Sequence, residues 1–314
     1  MSRKSTRIVF AVLGVAAVIL AAWSIAGQWR AFRASGEVLH PRWELVAFSC
    51  FLVFVAYAIL IETWRRTVSA WDNHLPWFAA ARIWFISNLG RYLPGKVWQI
   101  GAMGVMAQQE GVSAIAATGS AIVINLVNLL AGFGLVAVTG AEFFEQRAFA
   151  LVLAFALIVA LVLAPRILPL LGRVASTLVR RQIDVPRLPD RAIWIAAIGC
   201  LAAWLLYGVA FRIFVAGVLG EAPGRTASYV AAFTGSYLLG YIAVFAPGGL
   251  GARELSLVTA LGRLGLAIGG KAGIIALSSR LWLTVLEVLP GVLLLALEWA
   301  RGARLSNRSH DTNA

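Results

Sequence analysis

The chain has 314 residues, 61% of them hydrophobic and only 13% charged. A globular domain carries about 25% charged residues, so the polar side chains here are too few to cover a water-soluble particle; a disordered chain, a disulfide scaffold and a secreted enzyme are excluded as well. The net charge of +13, from 27 Lys and Arg against 14 Asp and Glu, fits cytoplasmic loops facing anionic lipid better than a nucleic-acid surface.

A spanning helix needs about 20 mostly apolar residues. The first candidate, 8–27, follows Arg3, Lys4 and Arg7. Its apolar run is longer than a signal-peptide core and lacks a small-x-small cleavage site, so it reads as a retained span. A second span follows at 43–63. Residues 77–109 are hydrophobic but interrupted by Pro94-Gly95. Proline removes a backbone donor and glycine frees the turn. The arms on either side are about 13 residues each, about 20 Å at 1.5 Å per residue. That is too short to cross a core of about 30 Å but enough to reach its middle. A re-entrant hairpin is expected, with its broken backbone covered by protein or water.

Spans at 113–138 and 148–165 come next, then a loop at 166–191 with six arginines and three prolines. This loop suits an amphipathic stretch on anionic lipid. A span at 192–219 leads to a second broken region, 226–265, interrupted by Pro247-Gly248. Its longer first arm leaves open whether it is re-entrant or fully spanning. The last span is 272–297, and 300–314 reads as a cytoplasmic tail. With the N-terminus inside, fourteen cations fall on inside segments and six on outside ones, which orients the chain N-in and C-in.

Cys50 and Cys200 lie in apolar stretches without a CxxC partner, and His40, His74 and His310 lack ligand spacing. No metal, cofactor or catalytic residue is expected. No P-loop, GxSxG, HExxH or Rossmann pattern stands in a suitable context.

The order span, span, broken hairpin, span occurs twice, over 7–139 and 147–299. Pro94-Gly95 and Pro247-Gly248 are offset by 153 residues, and Cys50 and Tyr57 recur 150 residues later as Cys200 and Tyr207. Each half makes three net crossings, so the halves are inverted. The fold class expected is an all-α polytopic membrane protein in one membrane domain, with two inverted repeats, six full spans and two broken helical hairpins. Opposed discontinuous helices are a transporter architecture.

Seven cations remain within spans or hairpins: Arg82, Arg91, Lys96, Arg212, Arg253, Arg263 and Arg280. A charge in mid-membrane costs at least about 2.5–3.5 kcal/mol. After Pro94-Gly95, and again after Gly248, Gly249 and Gly251, a new helix begins near the midplane. Its free N–H groups favour an anion, and Lys96 or Arg253 would add charge. Arg91, Gln99, Glu254, Arg280 and Glu287 complete the candidate substrate-binding set. The other reading is that Pro-Gly only breaks the helix and the cations pair with carboxylates. Arg280 and Glu287 share one helix face but lie about 10 Å apart along it, so each needs a partner elsewhere. Arg253 with Glu287 and Glu254 with Arg280 are the pairings considered. Glu62 and Arg212 sit near span ends and can snorkel. Asn125 and Asn128 suit hydrogen bonding between helices.

The stretch NLGRYLPGK (88–96), with Gly101 and Gly111 after it, and the stretch APGGLGARE (246–254) carry a resemblance. Together with Ser279, Arg280, Leu281, Pro290 and Gly291, they resemble the flippase-like membrane domain of lysylphosphatidylglycerol synthetases. The resemblance covers about residues 7–300. It implies a lipid-translocating activity, on a phospholipid or a lipid-linked anionic headgroup. With only a short tail after the last span, the soluble aminoacyl-transfer half of those synthetases is not expected in this chain. The partners expected are membrane lipids, phospholipid or polyprenyl-linked, with a separately encoded lipid synthetase or glycosyltransferase and a homodimer also in view, and no nucleic acid. A bacterial inner membrane is the expected location. The alternative is a membrane subunit, intramembrane enzyme or scaffold of a lipid- or glycolipid-modifying complex, with Glu254 and Glu287 as acid or base.

Overall fold

The computed structural model describes residues 41–92, 97–140, 190–242 and 251–311, with isolated positions between 152 and 163. The predicted span 8–27, most of 148–165 and of the 166–191 loop, and Pro94, Gly95, Lys96, Pro247, Gly248 and Gly249 lie outside these residues. Among the described residues there are eight α-helices and no strand. They are α1 Trp43–Ser69, α2 Trp77–Asn88, α3 Val97–Gln109, α4 Ala114–Thr139, α5 Asp190–Leu219, α6 Thr226–Ile242, α7 Ala252–Arg263 and α8 Gly270–Asp311. A short 3₁₀ turn, Leu89–Tyr92, follows α2.

Four stretches are long and apolar enough to cross a bilayer: Trp43–Ser69, Ala114–Thr139, Arg191–Leu219 and Gly270–Leu297. They coincide with four of the predicted spans. The last helix continues to Asp311, beyond the predicted end of its span. In the two broken regions, α2 and α3 have 12 and 13 residues, and α6 and α7 have 17 and 12. At 1.5 Å per residue the described parts of α2, α3 and α7 reach about 18–20 Å and that of α6 about 25 Å, against a core of about 30 Å. The two arms of each region pack on one another.

The central pair is α1 and α5. The Arg42 amide donates to the Gly217 carbonyl at 2.7 Å, Tyr57 meets Tyr207 edge to face at 6.0 Å, and Gly199 stands against Thr63. Rising numbers on one helix thus meet falling numbers on the other, so α1 and α5 run antiparallel along their whole length. The α4 and α6 helices are also antiparallel, with Gly132 against Leu238 and Gly235 against Val136.

These registers sort the helix ends onto two faces. One face carries Arg42, the end of α4, and the loops 220–225 and 264–269, which are joined by Lys271–Glu221 at 3.6 Å and by Leu266 against Gly224. The other carries the start of α5 and the loops 70–76 and 110–113, joined by the Ser113 amide on Asn73 at 2.8 Å.

A pattern links the halves. With α1, α2, α3 and α4 matched to α5, α6, α7 and α8, each principal helix contact has a counterpart. The α1–α2 contact matches α5–α6, α2–α3 matches α6–α7, and α3–α4 matches α7–α8. Between the halves, α4–α6 matches α8–α2 and α4–α5 matches α8–α1. Tyr57 and Tyr207, equivalent by the 150-residue offset, touch each other at the centre.

Candidate functional site

The site forms where the first broken region, the last helix and the central pair converge. Arg91, in the 3₁₀ turn, donates from Nη1 to Glu287 Oε1 on α8. Two turns earlier on α8, Arg280 Nη1 donates to Glu254 Oε1 at 2.6 Å. The second oxygen of Glu254 accepts from the Gly251 amide at 2.8 Å, so the carboxylate closes the N-terminus of α7 from within. Gly251 has φ +82°, a left-handed conformation that glycine adopts at little cost. That explains a glycine immediately before this helix. The expected pairing of Glu254 with Arg280 is therefore present. The other pairing considered with it, Arg253 with Glu287, is not; Glu287 takes Arg91 instead.

Arg253 is only 8% exposed. Its guanidinium lies over the rings of Tyr237 at 5.3 Å and Phe233 at 5.6 Å, and its Nη2 has no hydrogen-bond partner among the described residues. Arg91 also lies over the Tyr237 ring, at 5.6 Å. Cation–π contact stabilises a desolvated guanidinium by about 2 kcal/mol, less than a buried ion typically needs. Among the described residues, arginines 91, 253 and 280 thus face two carboxylates, Glu254 and Glu287, which leaves one positive charge in excess.

Beside these ion pairs lies a cavity of about 60 Å³, with room for about four waters. Its lining includes Tyr57, Tyr207, Tyr237 and Tyr241, the ion pair Arg91–Glu287, and the amides Asn88, Gln99, Asn125 and Asn128. Gln99 Nε2 donates to Asn88 Oδ1, which ties α3 to the end of α2. Arg253, Glu254 and Arg280 stand outside that lining.

Of the sequence-predicted residues, the structure gathers Arg91, Gln99, Gly251, Arg253, Glu254, Arg280 and Glu287 in one region. Pro94, Gly95, Lys96, Pro247, Gly248 and Gly249 lie outside the described residues. Asn125 departs from expectation: its Nδ2 donates to the Ala121 carbonyl of its own helix at 2.8 Å, and it lines the cavity rather than joining helices. For Asn128, the backbone carbonyl does join helices, accepting from Trp204 Nε1 at 3.0 Å. Glu62 pairs within α1, with Arg65 at 2.7 Å and Arg66 at 2.6 Å. Arg212 donates to the Thr226 hydroxyl and the Gly224 carbonyl. Both are end-of-helix arrangements, as expected. Arg82 pairs with Glu110. The aromatic part of the lining, above all Tyr237 and Tyr241, went unread in the sequence. The recurrence of Tyr57 as Tyr207 is the one signal that pointed toward it.

Among the described residues no cluster of His, Cys, Asp and Glu could hold a metal ion. A search of curated proteins finds no match for this sequence. The family described as the lysylphosphatidylglycerol synthase TM region matches residues 8–291. This chain therefore belongs to that family of membrane regions.

Proposed function

We propose that this protein moves a phospholipid, or a lipid-linked anionic headgroup, between the leaflets of a bacterial inner membrane, N-in and C-in. The observation that carries the reading is the excess buried charge on Arg253. A desolvated guanidinium with an open donor is costly when empty and is satisfied by a phosphate. The family is defined by a lipid synthase, which supports a membrane lipid as substrate. The matched contacts of the two halves and the antiparallel central pair support an inverted repeat, whose pseudo-two-fold axis would pass between Tyr57 and Tyr207.

In this mechanism the ion pairs Arg91–Glu287 and Arg280–Glu254 hold the resting state. An arriving phosphate compensates Arg253 and competes with the carboxylates for the neighbouring arginines, while the lipid tails stay in the bilayer. Pro94, Gly95, Lys96, Pro247 and Gly248 belong to the same proposed path. The enzyme reading, with Glu254 or Glu287 as acid or base, is less well supported, because both carboxylates are already engaged by arginines.

Purified protein in liposomes with fluorescent phospholipids tests the reading. Transbilayer movement faster than in empty liposomes, and dependent on Arg253, is expected. No acceleration across several headgroups, polyprenyl phosphates included, overturns it. Glu254→Gln and Glu287→Gln separate the enzyme alternative, since a catalytic carboxylate loses turnover of a lipid substrate while lipid binding survives.

A further inference from the structure

A second cavity lies on the opposite side of α6 and α7 from the tyrosine-lined one. It is a lateral groove of about 450 Å³ between α4, α6 and α7. Its floor is made of small residues, among them Ala232, Gly235, Ser256 and Ala260, and Arg263 stands at one end. Leu239 and Leu255 flank it and are 52% and 71% exposed, so it opens outward.

Three observations specify its occupant. First, every hydroxyl in the groove is already bonded to its own helix. Ser236 donates to the Phe233 carbonyl at 2.9 Å, Thr259 to the Leu255 carbonyl at 2.8 Å, and Ser256 to the Ala252 carbonyl. No lining hydroxyl has a proton left to donate to a polar guest, and hydrocarbon fits best. Second, Arg263 is exposed and has no carboxylate partner among the described residues. It lies at the end of α7, next to the 264–269 loop on one face of the molecule. A guanidinium there can form charge-assisted hydrogen bonds to a lipid phosphate. Third, Ala252 to Arg263 spans about 16 Å, close to half of a bilayer core of about 30 Å. The groove is therefore about as long as one leaflet is thick, whereas a transmembrane helix of a partner would outrun it.

We propose that this groove seats one acyl chain of a phospholipid from the adjoining leaflet, with its phosphate on Arg263. The site does not depend on transport, and its test is separate. The full-length protein is placed in phosphatidylcholine nanodiscs containing phosphatidylglycerol with a diazirine midway along one acyl chain. After photolysis, labelled residues are mapped by peptide mass spectrometry. Label is expected within 231–239 and 252–260.

In Gly235→Leu that label is lost. A Cβ at Gly235 meets only Val136, at an ordinary 3.8 Å, so the new side chain grows into the groove without forcing the helices apart. In Arg263→Gln the label falls about fivefold, the loss of one basic residue's attraction near the surface. Label on the exposed Phe48 and Phe51 of α1 stays constant in both and reports an intact fold; should Gly235→Leu disturb it, the surface variant Arg263→Gln decides. Three results overturn the proposal: no label in the wild type, label unchanged in both variants, or Leu255→Cys forming a disulfide between two copies with the groove unlabelled. The last would make the groove a protein interface.

Discussion

Replacing Arg253 by Met removes a buried charge while its Nη2 loses no hydrogen bond to the described residues, because it makes none with them. The aromatic contacts with Phe233 and Tyr237 are weakened, at about 1–2 kcal/mol, and relief of desolvation offsets much of that. Arg253→Met is therefore expected to keep thermal stability within about 2 kcal/mol of wild type and to reduce lipid movement tenfold or more. A large loss of stability, measured by thermal unfolding in detergent, would show Arg253 to be structural instead. Glu287 behaves in the opposite way. Glu287→Gln strands Arg91 without its carboxylate, at about 3–5 kcal/mol for a broken buried pair, and Arg91→Gln in the same chain should recover much of it. Unfolding measurements on both single variants and the double variant check this as a coupling energy.

At the scale of elements, close approach decides what the helices tolerate. A Cβ at Gly199 would fall 2.0 Å from Thr63 Oγ1. Gly199→Ala is expected to push α5 off α1 and to destabilise by about 1–3 kcal/mol, the usual penalty of overpacking. Thr63→Ala in the same chain should restore most of that, because Thr63 otherwise donates only to the Ile59 carbonyl of its own helix. Detergent melting curves of the three variants test the register. A Cβ at Gly240 would meet the Arg253 Cβ at 2.7 Å. Gly240→Val would therefore separate α6 from α7 and displace the buried guanidinium, with a loss of lipid movement at least as large as that of Arg253→Met.

For the molecule as a whole, the two faces provide the test. Asp72 lies in the 70–76 loop and Glu221 in the 220–225 loop, on opposite faces. With the N-terminus inside, a membrane-impermeant maleimide added to intact cells should label Glu221→Cys and leave Asp72→Cys unlabelled until the membrane is opened. The reverse pattern would invert the proposed orientation. Native Cys50 and Cys200 are half-buried and buried, so they contribute little background.

Much of the architecture was legible in the chain because hydrocarbon imposes a simple length rule. The four apolar runs at 43–63, 113–138, 192–219 and 272–297 had to become helices long enough to cross, and they did. In each interrupted region the described residues form two shorter helices that pack on one another, and the Pro-Gly residues between them lie outside the described residues. Buried charges were also legible, since Arg253, Glu254, Arg280 and Glu287 are too costly within apolar sequence to lack a partner or a role. The choice of partner was not. The sequence reading matched Glu287 with Arg253. Only the packing of the first broken region against α8 brought Arg91 to it and left Arg253 over two aromatic rings. The tyrosine lining and the lateral groove are also products of packing, because they join residues of separate helices that no local pattern connects. Length, hydropathy and turn chemistry act along the chain and can be read there; cavities and charge balance depend on which helix faces meet, which only the tertiary structure decides.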